Sequence, residues 1–334
     1  MKLAPNAFRR TFVLAAHAVA SWLLLAGPAI AQSSSDTYPT RLIRMVVPYP
    51  AGGSADAVAR SFAQQLSARL GQPIIIDNKP GASGNIGTVE VMRAKPDGYT
   101  LLFNPSIHVI SPELMPNAPY GALEDFTPIS LVAKGPLVLM VTKSLPVNTL
   151  KEFADLAKAK PGSLTFATSV IGSASHLAEA LFNRVANVDI MIVPYKGNAP
   201  ALNDFMGGHV SAMFDPAVTA VPLIRGGKLK GLAVTGKSRL SSAPDIPTTD
   251  EAGFKGLDIY TWYGLFAPAA LPKQIAARLE PATRETAASD EFRKSLADKG
   301  LEAVGNSTAD FIPFLHAEAT LYRSIIKQSS IKPE

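Results

Sequence analysis

From residue 41 onward the chain alternates short apolar runs with amphipathic segments, and glycine and proline crowd the junctions. "RLIRMVV" (41–47), "PIIID" (73–77) and "YTLLFN" (99–104) read as buried strands. Between the first two, Val58, Ala59, Phe62, Ala63, Leu66 and Leu70 recur at three- and four-residue steps, one face of a helix that Gly71 stops. A short helix is predicted over 86–95. The pattern begins again with "LVLMVT" (137–142), then "LTFAT" (164–168), "DIMIVPY" (189–195), "VSAMFD" (210–215) and "LKGLAVTG" (229–236), with helices over 149–160, 176–187 and 199–206. A turn-rich stretch (238–256) leads to the aromatic strand "IYTWYGLFAPA" (259–269) and two helices over 272–289 and 309–327. Short apolar strands separated by helices predict an α/β fold of mostly parallel sheets flanked by helices. The tail has too few strands to form a domain, so it is expected to complete the first block. That gives two lobes joined by two crossing strands: lobe 1 from 37–137 and 261–334, lobe 2 from 138–260.

The first 31 residues stand apart. Lys2, Arg9 and Arg10 form a basic head, an apolar run follows, and "AIA" ends it with small residues, the pattern of a secretory signal peptide. "RRTFVL" also resembles a twin-arginine export signal, so the route is Sec or twin-arginine. The remaining chain holds 29 Lys+Arg against 27 Asp+Glu, with no block of like charge, which points away from nucleic acid and anionic lipid. With no cysteine there is no disulfide framework, no thiol catalysis and no lipoprotein anchor. A soluble periplasmic protein is expected, without membrane insertion of the mature chain.

Ligands of open parallel sheets sit outside the carboxyl ends of the strands, so the loops there carry the functional reading. In "PYPAGGSADA" (48–57), Gly52 and Gly53 clear space, Ser54 is expected to cap the next helix, and Asp56 lies in its first turn. "NKPGASGNIG" (78–87) offers Ser83, but its glycines are spaced three and three, unlike a dinucleotide loop, and tight packing of a helix start is its default role. "FNPSIHV" (103–109) presents Asn104, Ser106 and His108, the histidine read as a structural hydrogen-bonder. "ATSVIGSASHLAEALF" (167–182) supplies Thr168, Ser169, Gly172, Ser173 and Ser175 in a cation-free, hydroxyl-rich turn. Ser175 and His176 are adjacent, which on a helix points them about 100° apart and makes a poor nucleophile–base pair. The histidines at 108, 176, 209 and 316 have no metal-ligand spacing. Glycine backbone, hydroxyls and helix N-termini together suit a carboxylate held by fixed dipoles, with no cofactor.

Several stretches together resemble the solute receptors of tripartite tricarboxylate transporters, also known as the Bug family. They are "YPTRLIRMVVPYPAGGSADAVAR", "IIIDNKPGASGNIGTVEVMRAKPDGYTLLF", "HLAEALF", "VPYKGNAPALNDFMGGHVSAMFD", "IPTTDEAG" and "WYGLFAPAALPKQI", in order along nearly the whole mature chain. The resemblance implies a two-lobed periplasmic binding protein fold of type II-like plan that closes over a small organic carboxylate. It implies delivery of that carboxylate to integral-membrane transporter subunits by a monomeric, non-enzymatic receptor. The site residues it implies are Tyr49, Gly52, Gly53 and Asp56, then Ser169, Gly172, Ser173 and His176, with Tyr195 and Asp215. Asp56 would repel a carboxylate, so it is expected to hold water or backbone. Val170 and Ile171 make one turn more apolar than the family pattern and "NPSIHV" is an unusual variant, which suggests one carboxylate and a less polar remainder. Two rival readings stand beside this one: an exported hydrolase or isomerase using Asp56 or His176 as base, and a sensor receptor that presents its closed form to a membrane kinase.

Overall fold

The structure, a computed structural model, describes residues 38–115, 117–329 and 331, so the predicted signal peptide lies outside it. The chain runs through β1 (Ile43–Val47), α1 (Ser54–Leu70), β2 (Ile74–Asn78), α2 (Asn85–Met92), β3 (Thr100–Pro105) and α3 (Ile107–Leu114). A long strand, β4 (Phe126–Thr142), then leads to α4 (Leu150–Ala159), β5 (Thr165–Thr168), α5 (Ala174–Ala186), β6 (Met191–Pro194) and α6 (Asn198–Met206). There follow β7 (Ala212–Pro216), α7 (Ala217–Arg225), β8 (Leu229–Val234), β9 (Tyr260–Pro268), α8 (Lys273–Ala288), α9 (Asp290–Ala297), β10 (Glu302–Ala303) and α10 (Thr308–Gln328).

The strand order is β2-β1-β3-β9-β4-β7-β5-β6, with β8 and β10 also paired to β4. In the first half β1, β2 and β3 are parallel, and β9 runs against both β3 and β4. In the second half β5 is parallel to β6 and β7, and β4 runs against both β7 and β8. Each half is therefore four parallel strands with one reversed strand set between the third and fourth, and the first half adds the two-residue β10 antiparallel to β4. This two-lobed, mostly parallel α/β arrangement is the one the sequence predicts.

Helices on both faces account for strands that are apolar throughout. Ile43, Met45 and Val47 pack with Val58, Phe62 and Leu66 of α1, while Val46 points to the other face, into the cluster of Val109 and Ile110 of α3. Gly71 ends α1 in the left-handed region (φ 70°) and donates to the Ser67 carbonyl at 2.9 Å, a turn that suits a residue without Cβ.

Sequence reading missed α3, α7, α9 and residues 126–136 of β4. Pro112 and Pro222 lie inside α3 and α7, and Pro128 and Pro136 punctuate β4. Proline normally ends such elements. Here β4 absorbs the break by shifting its register against β9 between Pro128 and Ser130 and between Leu131 and Ala133.

Strand β4 pairs with β9 as far as Pro136 and with β7 from Leu137. Thr235, fully buried, ties that change of partner together. Its N–H donates to the Leu137 carbonyl at 2.9 Å, and its Oγ1 accepts from the Leu137 N–H at 2.9 Å and donates to the Ile259 carbonyl at 2.6 Å. One hydroxyl thus joins β4 to the segment that crosses back into β9. Thr235→Val keeps the shape and orphans a buried N–H and a carbonyl. It is expected to lower stability by about 2 kcal/mol, read as a lower urea midpoint at unchanged slope.

Candidate functional site

Five helices begin at one cavity. Its wall includes Ser54, the first residue of α1; Ser106, which precedes α3; Ser173, the cap of α5; Asn198, the first residue of α6; and Pro216, which precedes α7. All five sit at the carboxyl ends of β1, β3, β5, β6 and β7, two in the first half of the sheet and three in the second. Tyr49, Gly53, Ser169 and Thr261 also line it, and no Asp, Glu, Lys, Arg or His does. Each helix start brings unpaired N–H groups and roughly half a positive charge. An uncharged wall with converging N-termini favours an anion through fixed dipoles. The cavity volume is about 50 Å³, enough for roughly a few waters.

The halves meet tightly around it. A Cβ on Gly197 would stand 2.6 Å from Pro50 Cδ, and one on Gly172 2.6 Å from Leu114 Cδ1. Gly197 has φ 141° and its N–H donates to the Ser169 carbonyl at 2.8 Å.

The candidates from the sequence divide into two groups. Tyr49, Gly53, Ser54, Ser106, Ser169 and Ser173 reach the cavity wall. Ser54 is not the cap of α1, because Gly53 takes that position, and the Ser54 N–H is left to donate to Asn198 Oδ1 at 3.2 Å. Gly52, Asp56, Ser83, Asn104, Gly172, His176, Tyr195 and Asp215 do not line the cavity.

Most of that second group brace the wall. Asp56 accepts from the Gly52 N–H and from Arg60 Nε, each at 2.9 Å, and from Asn78 Nδ2 at 3.0 Å. Burial raises its pKa, but Arg60, the Gly52 N–H and Asn78 outweigh that and hold it below the usual carboxylate value. Asn104 accepts from the Tyr49 hydroxyl at 3.3 Å and donates to His108 Nδ1 at 3.2 Å. His108 Nε2 donates to the Ala122 carbonyl at 2.8 Å, and burial drives its pKa down to about 4, so it is a neutral structural histidine. Ser83 is half-buried at φ 55° in the turn before α2. Tyr195 donates to Asp204 Oδ2 at 2.9 Å, away from the cavity.

His176 turns from the cavity that its neighbour Ser175 lines. Its Nδ1 accepts from the Gly172 N–H at 3.1 Å, it faces a separate groove with Arg184 and Asp189, and burial lowers its pKa to about 4. Adjacent helix positions have therefore sent the two side chains to different surfaces. Val170 lines the cavity, whereas Ile171 lines the same groove as His176.

Asp215 lies fully buried behind the wall, accepting from Asn198 Nδ2 and from Thr219 Oγ1. Burial pushes its pKa up to about 7, against the lowering effect of those two donors. Glu179 of α5, also fully buried, is pushed well above the ordinary value by burial, and the nearby Asp215 charge acts in the same direction. Sequence reasoning missed Asn198 and Glu179. Asn198 follows a glycine at a helix start, a signal of the same kind that singled out Ser54. Glu179 carries no signal, since a glutamate in a helix is ordinarily solvated.

Two facing α/β lobes whose helix N-termini line the cleft between them define a solute-binding protein. The family model described as "Tripartite tricarboxylate transporter family receptor" matches residues 58–331. The chain belongs to that family. Among solved structures it is similar to the periplasmic binding protein BugD, at 34% identity and TM-score 0.85, covering 89% of this chain and 100% of that one. It is similar to R. palustris Rpa4515 with adipate, at 34% identity and TM-score 0.86 over the same shares. MatC from Rhodopseudomonas palustris with bound malate matches at 33% identity and TM-score 0.82, over 86% of this chain and 100% of that one. BugD is a periplasmic binding protein, and the other two structures hold adipate and malate. Among the described residues no helix is long and apolar enough to cross a membrane.

The raised pKa of Asp215 has a measurable sign. Its contribution to stability is fully present below about pH 4, the unfolded carboxylate range, and is lost as pH rises through about 7. Asp215→Asn removes the ionisation. The melting-temperature difference, variant minus parent, is expected to be more positive at pH 8 than at pH 5 by a few degrees, measured by thermal unfolding in matched ionic strength.

Proposed function

We propose that this chain is a periplasmic receptor that captures a small organic carboxylate between its two lobes and delivers it to membrane subunits of a tripartite tricarboxylate-type transporter. The observation that carries the reading is the uncharged cavity wall into which five helix N-termini converge. Such a wall holds a carboxylate without a matching cation. Two neighbours whose structures contain adipate and malate support the ligand class. Ile107, Val170 and Ala174 give the wall an apolar side, which favours one carboxylate gripped by the dipoles and a less polar remainder packed beyond it.

In this reading the chain is not an enzyme and works as a monomer, exported by a signal peptide over 1–31. Lobe 1 comprises 37–137 and 261–334, and lobe 2 comprises 138–260, which places the boundary on β4 where it changes partner. The candidate general bases both have other partners: Asp56 is engaged by Arg60, Asn78 and Gly52, and His176 Nδ1 by the Gly172 N–H.

The test is thermal unfolding of refolded, ligand-stripped protein against mono-, di- and tricarboxylates, amino acids and aromatic acids. A ligand at 100 times its Kd should add about 2.7 kcal/mol, a rise of a few degrees for this size. A shift by one class, with the compound recovered unchanged, is expected. Chemical conversion of the compound would establish an enzyme instead, and silence from every carboxylate would remove the anion-site reading. Gly197→Ala places a methyl against Pro50 across the cleft. It is expected to weaken binding of the responding compound at least roughly tenfold, equivalent to about 1.4 kcal/mol, with unchanged far-ultraviolet circular dichroism.

A further inference from the structure

Among the described residues, and apart from the bonds of Thr235 to Leu137 and of Tyr322 to Tyr260 at the crossing strands, three side-chain hydrogen bonds bridge the two lobes. Arg184 to Gln328 and Arg225 to the Asp298 carbonyl are exposed. The third, from the Ser54 N–H to Asn198 Oδ1, is buried and lies in the cavity wall. A carboxamide can present either end to a partner, because oxygen and nitrogen have nearly the same shape. Only the oxygen end can accept from a helix-start N–H. What decides the orientation is the group behind it.

That group is Asp215. Its Oδ1 accepts from Asn198 Nδ2 and its Oδ2 from Thr219 Oγ1, and it is closed to bulk solvent, its residue exposure being 0%. A carboxylate only accepts, so it draws the NH₂ end of Asn198 inward and turns the oxygen toward Ser54. Thr219 has a second acceptor, the Pro216 carbonyl at 3.1 Å. A proton taken up at Oδ2 can therefore be donated to Thr219 Oγ1 while the Asn198 bond stays intact. The backbone leaves little slack for another arrangement: a Cβ on Gly53 would lie 3.3 Å from Asn198 Cβ.

We propose that Asp215 is a positioning residue that sets the Asn198 carboxamide, and that Asn198 then latches the lobes shut by accepting from the Ser54 N–H across the cavity. The latch rests on the receptor reading for its purpose, but closure can be measured without any ligand. The cavity wall supplies the contact to the solute, and the Asp215–Asn198–Ser54 series holds the wall together.

Because the chain lacks cysteine, spin labels on Gln64→Cys and Lys158→Cys, exposed positions on α1 and α4, report the interlobe distance without background. Each variant is measured alone and with adipate or malate as probe. Asn198→Ala and Asp215→Ala are each expected to shift the closed-to-open ratio roughly fivefold toward open, the equivalent of about 1 kcal/mol for one buried hydrogen bond. Asp215→Ala should add nothing once Asn198 is alanine. Asp215→Asn should keep the parent distribution, because its oxygen still accepts from Asn198. Asn198→Asp faces a carboxylate with a carboxylate and should open the lobes. Adding Asp215→Asn to it restores a donor–acceptor pair of reversed polarity and should close them again. The Asn198→Asp pair of variants decides the matter even if Asp215→Ala fails to fold. The proposal is overturned if Asp215→Ala acts equally with and without Asn198, or if Asp215→Asn fails to restore closure in Asn198→Asp. If neither probe raises the melting temperature while the distances follow this pattern, the latch stands and the ligand class assigned to the receptor is what fails.

Discussion

A single strand belongs to both halves of the sheet, and the remaining architecture hangs on it. β4 pairs with β9 through Pro136, with β7 from Leu137 and with β8 from Val138. Two mostly parallel sheets thus share one strand, which runs with the parallel strands of the first half and against those of the second. Because parallel strands need helical crossovers, the loops at the carboxyl ends of β1, β3, β5, β6 and β7 each run into a helix N-terminus. Those helix starts face one another across the point where β4 changes partner. The binding chemistry is thus a product of topology: the N–H groups that line the cavity are the ones each helix leaves unpaired.

Charge is kept out of the cavity and arranged behind it. Asp56 is satisfied by Arg60, Asn78 and a backbone N–H, while Asp215 and Glu179 sit buried without a basic partner in their hydrogen-bond sets. His108, fully buried, and His176, half-buried, have pKa values driven down to about 4 by burial. They contribute stability above about pH 6.5, and it is lost as pH falls toward 4. The buried acids work the other way, gaining over that range. The opposed dependences offset one another, so a protein with these four perturbed groups can keep a flat stability profile across mildly acidic conditions.

Much of this was legible in the residues. The spacing from Val58 to Leu70 and the glycine at 71 placed α1, and the double glycine at 52–53 marked a turn opening on the cavity. Local pattern could not place elements whose internal prolines are tolerated because of distant partners: α3 with Pro112, α7 with Pro222 and the first part of β4. In the site, residue types pointed to the right loops but not to the right direction of each side chain. His176 and Tyr195 lie in those loops and turn elsewhere, because adjacent residues of a helix or strand end face different surfaces. Asn198 became visible only when a residue 144 positions away in sequence met it across the cleft.

The absence of ionised side chains from the cavity wall also governs how a ligand arrives and leaves. With 29 basic and 27 acidic residues after residue 31, and dipoles whose field fades within about a turn of the helix end, an approaching anion is barely steered. Its capture rate follows from diffusion and from the fraction of time the lobes stand apart. Once enclosed, it is held by aligned N–H groups that mobile ions cannot reach, so its grip changes little with ionic strength. Separating the lobes by a few ångströms withdraws the dipoles of one lobe at once and releases the cargo, with no ion pair to break.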